Sequence, residues 1–457
     1  MFKKSLIAGA MAATLAISGT VIADDKGYHG FNFKPLDESA NSADWNPAAP
    51  WKLPKGFTQY VVSDEFALNI YDYPTWENDI SGVDVPQNND WHDMNTVNET
   101  GPQAGRFMYR THEVRGVATG GAVSVVDLKT GETKLLAQDA SWTALDGIRW
   151  TPWGTILFAE ETAGGRLLEI VLEKDDLMTA ADIVERPMVG LLAHEGIDVD
   201  ADGNVYVVDE HRGRTVTDPA DGNTCAGDIP CGGGIYKFVP DVYGDLSSGS
   251  LYVLGIESST RRDNTGQGVW LGPIDASHAR ESGTELGGVS YQRPEDVEII
   301  DDTLYVAITE GPRDEYGREY YEGRVLAINL KTMEVTNFVK AGVNVPVEIG
   351  RPGDAGHQTG FDSVDNLAEA PNGDLIMIED NVPSDIWFAS TRKVDEFGTS
   401  EKVELFASLT DPSAEGTGIY FSPTDPSTLY VNVQHSAVDD GDGTWAITRK
   451  GKRRHNH

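Results

Sequence analysis

One unit recurs along this chain, and its spacing leaves few folds open. Asp146 opens the run DGIRWTPWGTILFAEE, which closes on Glu160 and Glu161, and Glu195 opens EGIDVDADGNVYVVDE, which closes on Asp209 and Glu210. Glu295 opens EDVEIIDDTLYVAITE, closing on Thr309 and Glu310, and Asp365 opens DNLAEAPNGDLIMIED, closing on Glu379 and Asp380. In all four, the closing pair lies 14 and 15 residues after the opening acid. Each run alternates or clusters apolar residues on either side of a turn such as Asp202-Gly203-Asn204 or Asn372-Gly373-Asp374, which is the pattern of a β-hairpin. A weaker copy starts at Glu415 and runs to His435, and an earlier one with a longer turn spans about Asp90 to Glu113, making six in all.

A hairpin of this size cannot bury its own apolar face, so its repetition points to stacked units. Antiparallel strands repeated about an axis make a β-propeller. The expected fold is therefore all-β, a six-bladed β-propeller with short helical and loop insertions. In such a fold the innermost strand of each blade starts at one face and its neighbour returns there. The opening and closing acids of all six units would then line one mouth of the central channel. Carboxylates gathered in one space cannot all stay ionised unaided: their pKa values rise or cations hold them. Cations are the expectation here.

The formal charge is −37, from 36 Lys+Arg against 73 Asp+Glu. That makes nucleic acid and anionic membrane surfaces poor partners. An acidic surface that keeps the protein soluble in salt is an equally simple account of part of this charge. Hydrophobic residues at 39% are enough for a core, and 49 Gly with 22 Pro suit a turn-rich β protein.

Residues 1–23 read as a secretory signal: Lys3 and Lys4, an apolar stretch from Leu6 to Ile17, and Val21-Ile22-Ala23 before Asp24 and Asp25. The stretch is too short for a good membrane span, and no other segment is apolar enough. No twin-arginine pair is present, so general secretion to the periplasm or the medium is expected. Export makes Cys225 and Cys231 candidates for a local disulfide, with a thiolate metal site as the competing reading.

Residues 24–57 read as an N-terminal arm on the domain surface or as disorder, 58–450 as the propeller domain, and 451–457 as a basic tail. FTQYVVS, from Phe57, is expected to complete the last blade and close the ring. Outer strands are expected in Gly120–Ala137, after Gly165, in GGIYKFVPD with SLYVLGIES, and after Gly323. Glu173–Ile183 reads as a short amphipathic helix joining blades. Arg261–Ser290, Gly-rich and without strand alternation, reads as a long loop or small helical insertion.

Several of these pieces resemble the PhoX-type alkaline phosphatase family. They are Asn88-Asn89-Asp90, His112-Glu113, TPWGT from Thr151, Glu160-Glu161, His194-Glu195-Gly196, Arg293-Pro294-Glu295, the Asp365 unit, and Glu415 with VNVQH, in family order from about residue 88 to 435. The resemblance implies a six-bladed propeller that hydrolyses phosphate esters with calcium and iron held by carboxylates at one end of the channel. It implies Glu195 and Glu295 as metal ligands, with Glu113, Glu160, Asp365 and Glu415 beside them, and Arg293 as the phosphate-binding arginine. Glu195, Glu295 and Arg293 would carry catalysis, with a metal-activated water or oxide attacking phosphorus. Asp146, Asp209, Glu210 and Glu310 are further rim acids, solvated or ligating, and His112, His194 and His435 are packing groups or support ligands from behind.

The pattern departs from the family at one position. A cysteine that bridges iron precedes the Glu-Glu pair in the family, and Ala159 stands there here. Oxygen donors alone suit calcium, magnesium or manganese better than thiolate-bridged iron, so Ca2+ is expected and Fe3+ disfavoured. The expected partner is a small phosphate ester, with no nucleic acid, no membrane span and a monomeric chain. Two other readings stay open: a calcium-dependent lactonase or esterase with one channel metal, and a non-catalytic propeller in which metals serve stability.

Overall fold

A computed structural model describes residues 31–68, 70, 76–77, 84–85, 90–211, 232–257, 264–309, 323–438 and 441–450. The signal stretch, Asn88-Asn89, Cys225, Cys231, Glu310 and the basic tail lie outside the described residues. Among these residues the strands form six four-stranded antiparallel blades. Their innermost strands are His92–Val97, Leu145–Trp150, Ile197–Val199, Pro294–Ile300, Val364–Glu369 and Glu415–Ser422. Each innermost strand touches the next, and the sixth returns to the first, so the ring is closed.

Closure uses the N-terminal end of the chain, as its sequence suggests. Phe57–Asp64 pairs antiparallel with Gly443–Arg449 and becomes the outer strand of blade 6. Closure of the ring leaves no unpaired inner edge between the first blade and the last. Upstream, the arm lies on blades 5 and 6. Trp51–Lys52 adds a fifth strand to blade 5 by pairing with Ser408 and Leu409. The Phe31 ring packs 5.0 Å from Phe57, 5.1 Å from Phe406 and 4.8 Å from Phe421. Apolar clusters fill each space between neighbouring blades, because each sheet buries both faces against the next.

Two expectations are corrected. Asp176–Glu185 is a strand, the outer edge of blade 2, paired with Leu167–Glu173. Its Ala, Leu, Met and Glu content favours helix, but cross-strand pairing along a sheet edge overrides that propensity. Within Arg261–Ser290, Gly266–Ile274 is also a strand. It pairs with Asp245–Ile256 of blade 3 and with Glu334–Lys340 of blade 4, joining two blades into one sheet. The helical part of that insertion follows it, at Ala276–His278 and Ala279–Glu285.

The two ends of the channel differ. The ends of the inner strands distal to the opening acids surround a cavity of about 430 Å³ lined in part by Met94, Ile148, Arg149, Leu367 and Tyr420. There the Arg149 guanidinium pairs with Asp198 and Glu298, each at 2.9 Å. The acids lie at the other end.

Candidate active site

Each blade delivers one acid from the start of its inner strand: Asp93, Asp146, Glu195, Glu295, Asp365 and Glu415. Their charges act on one another across the mouth, Asp146 on Asp93 and Glu295, Glu195 on Glu295 and Asp365, and Glu415 on Asp365. The sequence places the start of the first unit at about Asp90, but the inner acid of that blade is Asp93. Its long turn hides the phase that the other units share.

Backbone geometry repeats with the acids. Trp91, Ala144, Arg293 and Ser363 each stand two residues before an inner acid, with φ of 43°, 47°, 50° and 47°. This left-handed step turns the chain into the inner strand, and its recurrence assigns it to the repeat rather than to Arg293 alone. Close approach requires glycine beside two of the acids. A Cβ on Gly147 would sit 1.7 Å from the Glu195 carbonyl oxygen, and one on Gly196 would sit 2.4 Å from the Val297 nitrogen.

The closing pairs split by role. Glu161, Glu210 and Asp380, the second members, reach the mouth. The first members tie down the loop that leads into their own inner strand. Glu160 accepts from the Thr143 amide at 3.2 Å, Asp209 from Ala193 at 3.0 Å and Glu379 from Asp362 at 3.0 Å. Glu160 is further held by Arg166, Nε at 2.7 Å and Nη2 at 2.8 Å, and Asp209 by Arg280 at 2.5 and 2.7 Å. Glu160 therefore does not join the mouth acids expected of it; Glu161 takes that place. His194 is buried with Nε2 2.9 Å from the Gly190 carbonyl, and His112 lies behind the mouth against the Asp90 carbonyl. His435 is at the mouth, 3.3 Å from Glu415 and edge-on to Trp91.

Two groups of three carboxylates stand side by side. Oxygens of Glu195, Glu295 and Asp365 lie within 4.8 Å of one another, as do those of Glu161, Glu195 and Glu210. Glu195 belongs to both. Arg293 crosses between them, its Nε 2.6 Å from Glu210 and 3.0 Å from Glu295, with Nη1 3.7 Å from Asp380. A second arginine, Arg115, bonds Glu113 at 2.7 Å and also Glu161. Gln434 donates to the other Glu113 oxygen at 3.2 Å. Glu113 and Glu415 are thus in the mouth, and so is Glu161, which the repeat placed there as a closing acid but the resemblance passed over as a ligand; Asp93 and Arg115 have no counterpart among the residues read from the sequence.

Burial and mutual repulsion set the electrostatics of the mouth. Burial, and then repulsion from neighbouring acids, push the Asp93, Asp146, Glu161, Glu195, Asp365 and Glu415 carboxyls well above the carboxylate range. Burial raises Glu295 to about 7, despite the opposing Arg293 and a 2.5 Å hydrogen bond from Thr309. Glu295 Oε2 and Asp146 Oδ1 are buried without a hydrogen-bond donor among the described residues. All donors are oxygens, and Ala159 is packed in the apolar cluster between blades 2 and 3. An all-oxygen set with unmet buried acceptors fits hard divalent cations.

A pH dependence follows. In cation-free protein these carboxyls keep protons that the unfolded chain releases at lower pH. Stability should therefore fall as pH rises from about 4.5, the ordinary Glu value, through about 7, where Glu295 titrates. Calcium should flatten that slope. Thermal unfolding across this range with calcium or with chelator checks it; parallel profiles would contradict it.

Fold and mouth together define a class: a six-bladed propeller with a ring of carboxylates and two arginines at one end of its channel. The family model of alkaline phosphatase PhoX matches residues 171–437, more than half of the chain. The chain belongs to the PhoX alkaline phosphatase family. The matched range includes Glu195, Arg293, Glu295, Asp365 and Glu415. Among solved structures, it is similar to Pseudomonas fluorescens PhoX in complex with vanadate, a transition-state analogue. That pair has 17% identity and a TM-score of 0.57, covering 92% of this chain and 98% of the other. It is also similar to the PQQ domain of Coprinopsis cinerea pyranose dehydrogenase, at 10% identity and TM-score 0.49, covering 88% and 98%. A Xanthomonas campestris gluconolactonase matches at 13% and 0.38, covering 92% and 98%. At 17% identity the likeness to the Pseudomonas structure is one of fold. No curated protein sequence matches the chain.

Proposed function

We propose that the protein is an exported phosphatase that hydrolyses small phosphate esters at the acid-lined mouth, with hard divalent cations, calcium foremost, held by its carboxylates. The observation that carries this is the pair of three-carboxylate groups sharing Glu195, with Arg293 set between them. Glu195, Glu295 and Asp365 would hold one cation and Glu161, Glu195 and Glu210 another, with Glu113, Asp146 and Glu415 around them. Bound there, such cations would offset the charge of phosphoryl oxygens and lower the pKa of coordinated water.

The chain's own groups do the rest. Once cations take up the carboxylate charge, Arg293 has less need to compensate Glu210 and Glu295, and its planar fork suits a tetrahedral oxyanion. Asp93, Asp146, Glu195 and Glu295 are buried at the floor of the mouth, and the low dielectric there strengthens each charge interaction. The vanadate bound by the Pseudomonas relative supports a phosphoryl-transfer reading. The sequence of residues 1–23 supports export. The test is hydrolysis of an aryl phosphate before and after exhaustive chelation. Activity should fall at least ~100-fold and return with calcium. Undiminished turnover by metal-free protein would end the reading.

A further inference from the structure

Behind the mouth, in blade 1, lies a second cluster of a different chemical kind. Asp90 precedes the inner strand His92–Val97, and His112 ends the neighbouring strand Phe107–His112. His92 and His112 face each other across the two strands, ring centroids 4.8 Å apart. A carboxylate oxygen of Asp90 and one ring nitrogen from each histidine lie within 4.8 Å of one another. All three residues are fully buried.

The hydrogen bonding sets the tautomer of one ring and leaves the other unmet. His112 Nδ1 is 2.6 Å from the Asp90 carbonyl, which can only accept, so Nδ1 carries the proton and Nε2 the lone pair. That Nε2 faces the Ser124 hydroxyl at 2.8 Å. A histidine anchored through one nitrogen to a main-chain carbonyl is oriented as metal-binding histidines are. Neither ring nitrogen of His92 has a hydrogen-bond partner among the described residues. A buried polar group left so is costly and rare in folded proteins. Arg110 itself bonds Ser124 and Thr444, its charge is offset by Asp90 and Asp64, and the Glu65 carboxylate accepts from the Asp90 amide.

We propose that Asp90, His92 and His112 bind a divalent transition metal of the zinc type, at a site separate from the oxygen-lined mouth. Two imidazoles and a carboxylate suit zinc and its neighbours and are poor ligands for calcium. Zinc–ligand bonds of about 2.0–2.2 Å would draw the three donors together, with Ser124 turning away from His112. The site is closed to solvent, so its role is structural. Its position gives that role a purpose: His92 precedes Asp93 and His112 precedes Glu113, so one ion would fix the strands that carry two mouth acids.

Chelator-stripped full-length protein, titrated with zinc in saturating calcium to occupy the mouth, tests this. Wild type should take up about one equivalent of zinc more than His92→Leu and rise in unfolding temperature with it. His92→Leu should show no such rise, while Glu195→Gln should retain the uptake. Cobalt in place of zinc should give wild type a ligand-field spectrum that His112→Leu lacks. Without metal, His92→Leu should be at least as stable as wild type, since leucine leaves no polar atom unmet. Equal zinc uptake by wild type and His92→Leu would overturn the site, and so would no uptake by wild type, which points to a buried water at His92. Neither result bears on aryl-phosphate hydrolysis at the mouth.

Discussion

Glu195→Gln should lower kcat/KM for an aryl phosphate by about 10³-fold or more while leaving the fold intact. Glu195 is the one carboxylate common to both groups of three, so its loss removes a charged donor from each. Glutamine keeps the volume, and in cation-free protein it relieves the repulsion that Glu295, Asp146 and Asp365 exert there. The variant should therefore unfold at or above the wild-type temperature in chelator while being nearly inactive in calcium. Glu160→Gln is the contrast. Its parent carboxylate holds Arg166 and the Thr143 amide, away from the mouth, so its loss should cost about 1–3 kcal/mol of stability and only a few-fold in activity. Steady-state kinetics and thermal unfolding of the two variants, side by side, decide the matter. Equal losses of activity would show that Glu160 acts in the mouth alongside Glu195.

Arg293→Ala should lower kcat/KM by about 10²–10³-fold and weaken inhibition by vanadate in parallel. The alternative role for Arg293 is as a counter-ion to Glu210 and Glu295, which it meets at 2.6 and 3.0 Å. A counter-ion alone becomes redundant once cations bind, so its removal would strengthen calcium binding and spare turnover. Arg293→Lys separates charge from shape, because a lysine supplies the charge but cannot present two parallel donors. Recovery of less than a tenth of the lost activity by Arg293→Lys is expected. Full activity in Arg293→Ala at saturating calcium would assign the residue to charge compensation.

The ring architecture was legible because it depends on a short-range pattern. Opening acid, turn and closing pair recur at fixed spacing, and a hairpin fixes both of its ends at once. Fine placement was less legible where two neighbours share one chemistry. Glu160 and Glu161 cannot be told apart by type; what separates them is that the strand Ile156–Glu160 ends on the first, where the Arg166 side chain meets it. The same holds for Asp209 and Glu210, divided by Arg280 from the Ala279–Glu285 helix far along the chain. Asp93 is hidden in the sequence because the longer turn of blade 1 breaks the common spacing. The helix pattern of Glu173–Ile183 misleads because an edge strand with one exposed face, Asp176–Glu185, can carry helix-forming residues when its pairing is set by Leu167–Glu173.

Anomalous diffraction from crystals grown with manganese in place of calcium examines the mouth itself. Strong peaks are predicted among Glu195, Glu295 and Asp365 and among Glu161, Glu195 and Glu210. A mouth without anomalous density, in crystals of protein that still hydrolyses the aryl phosphate, would contradict the account.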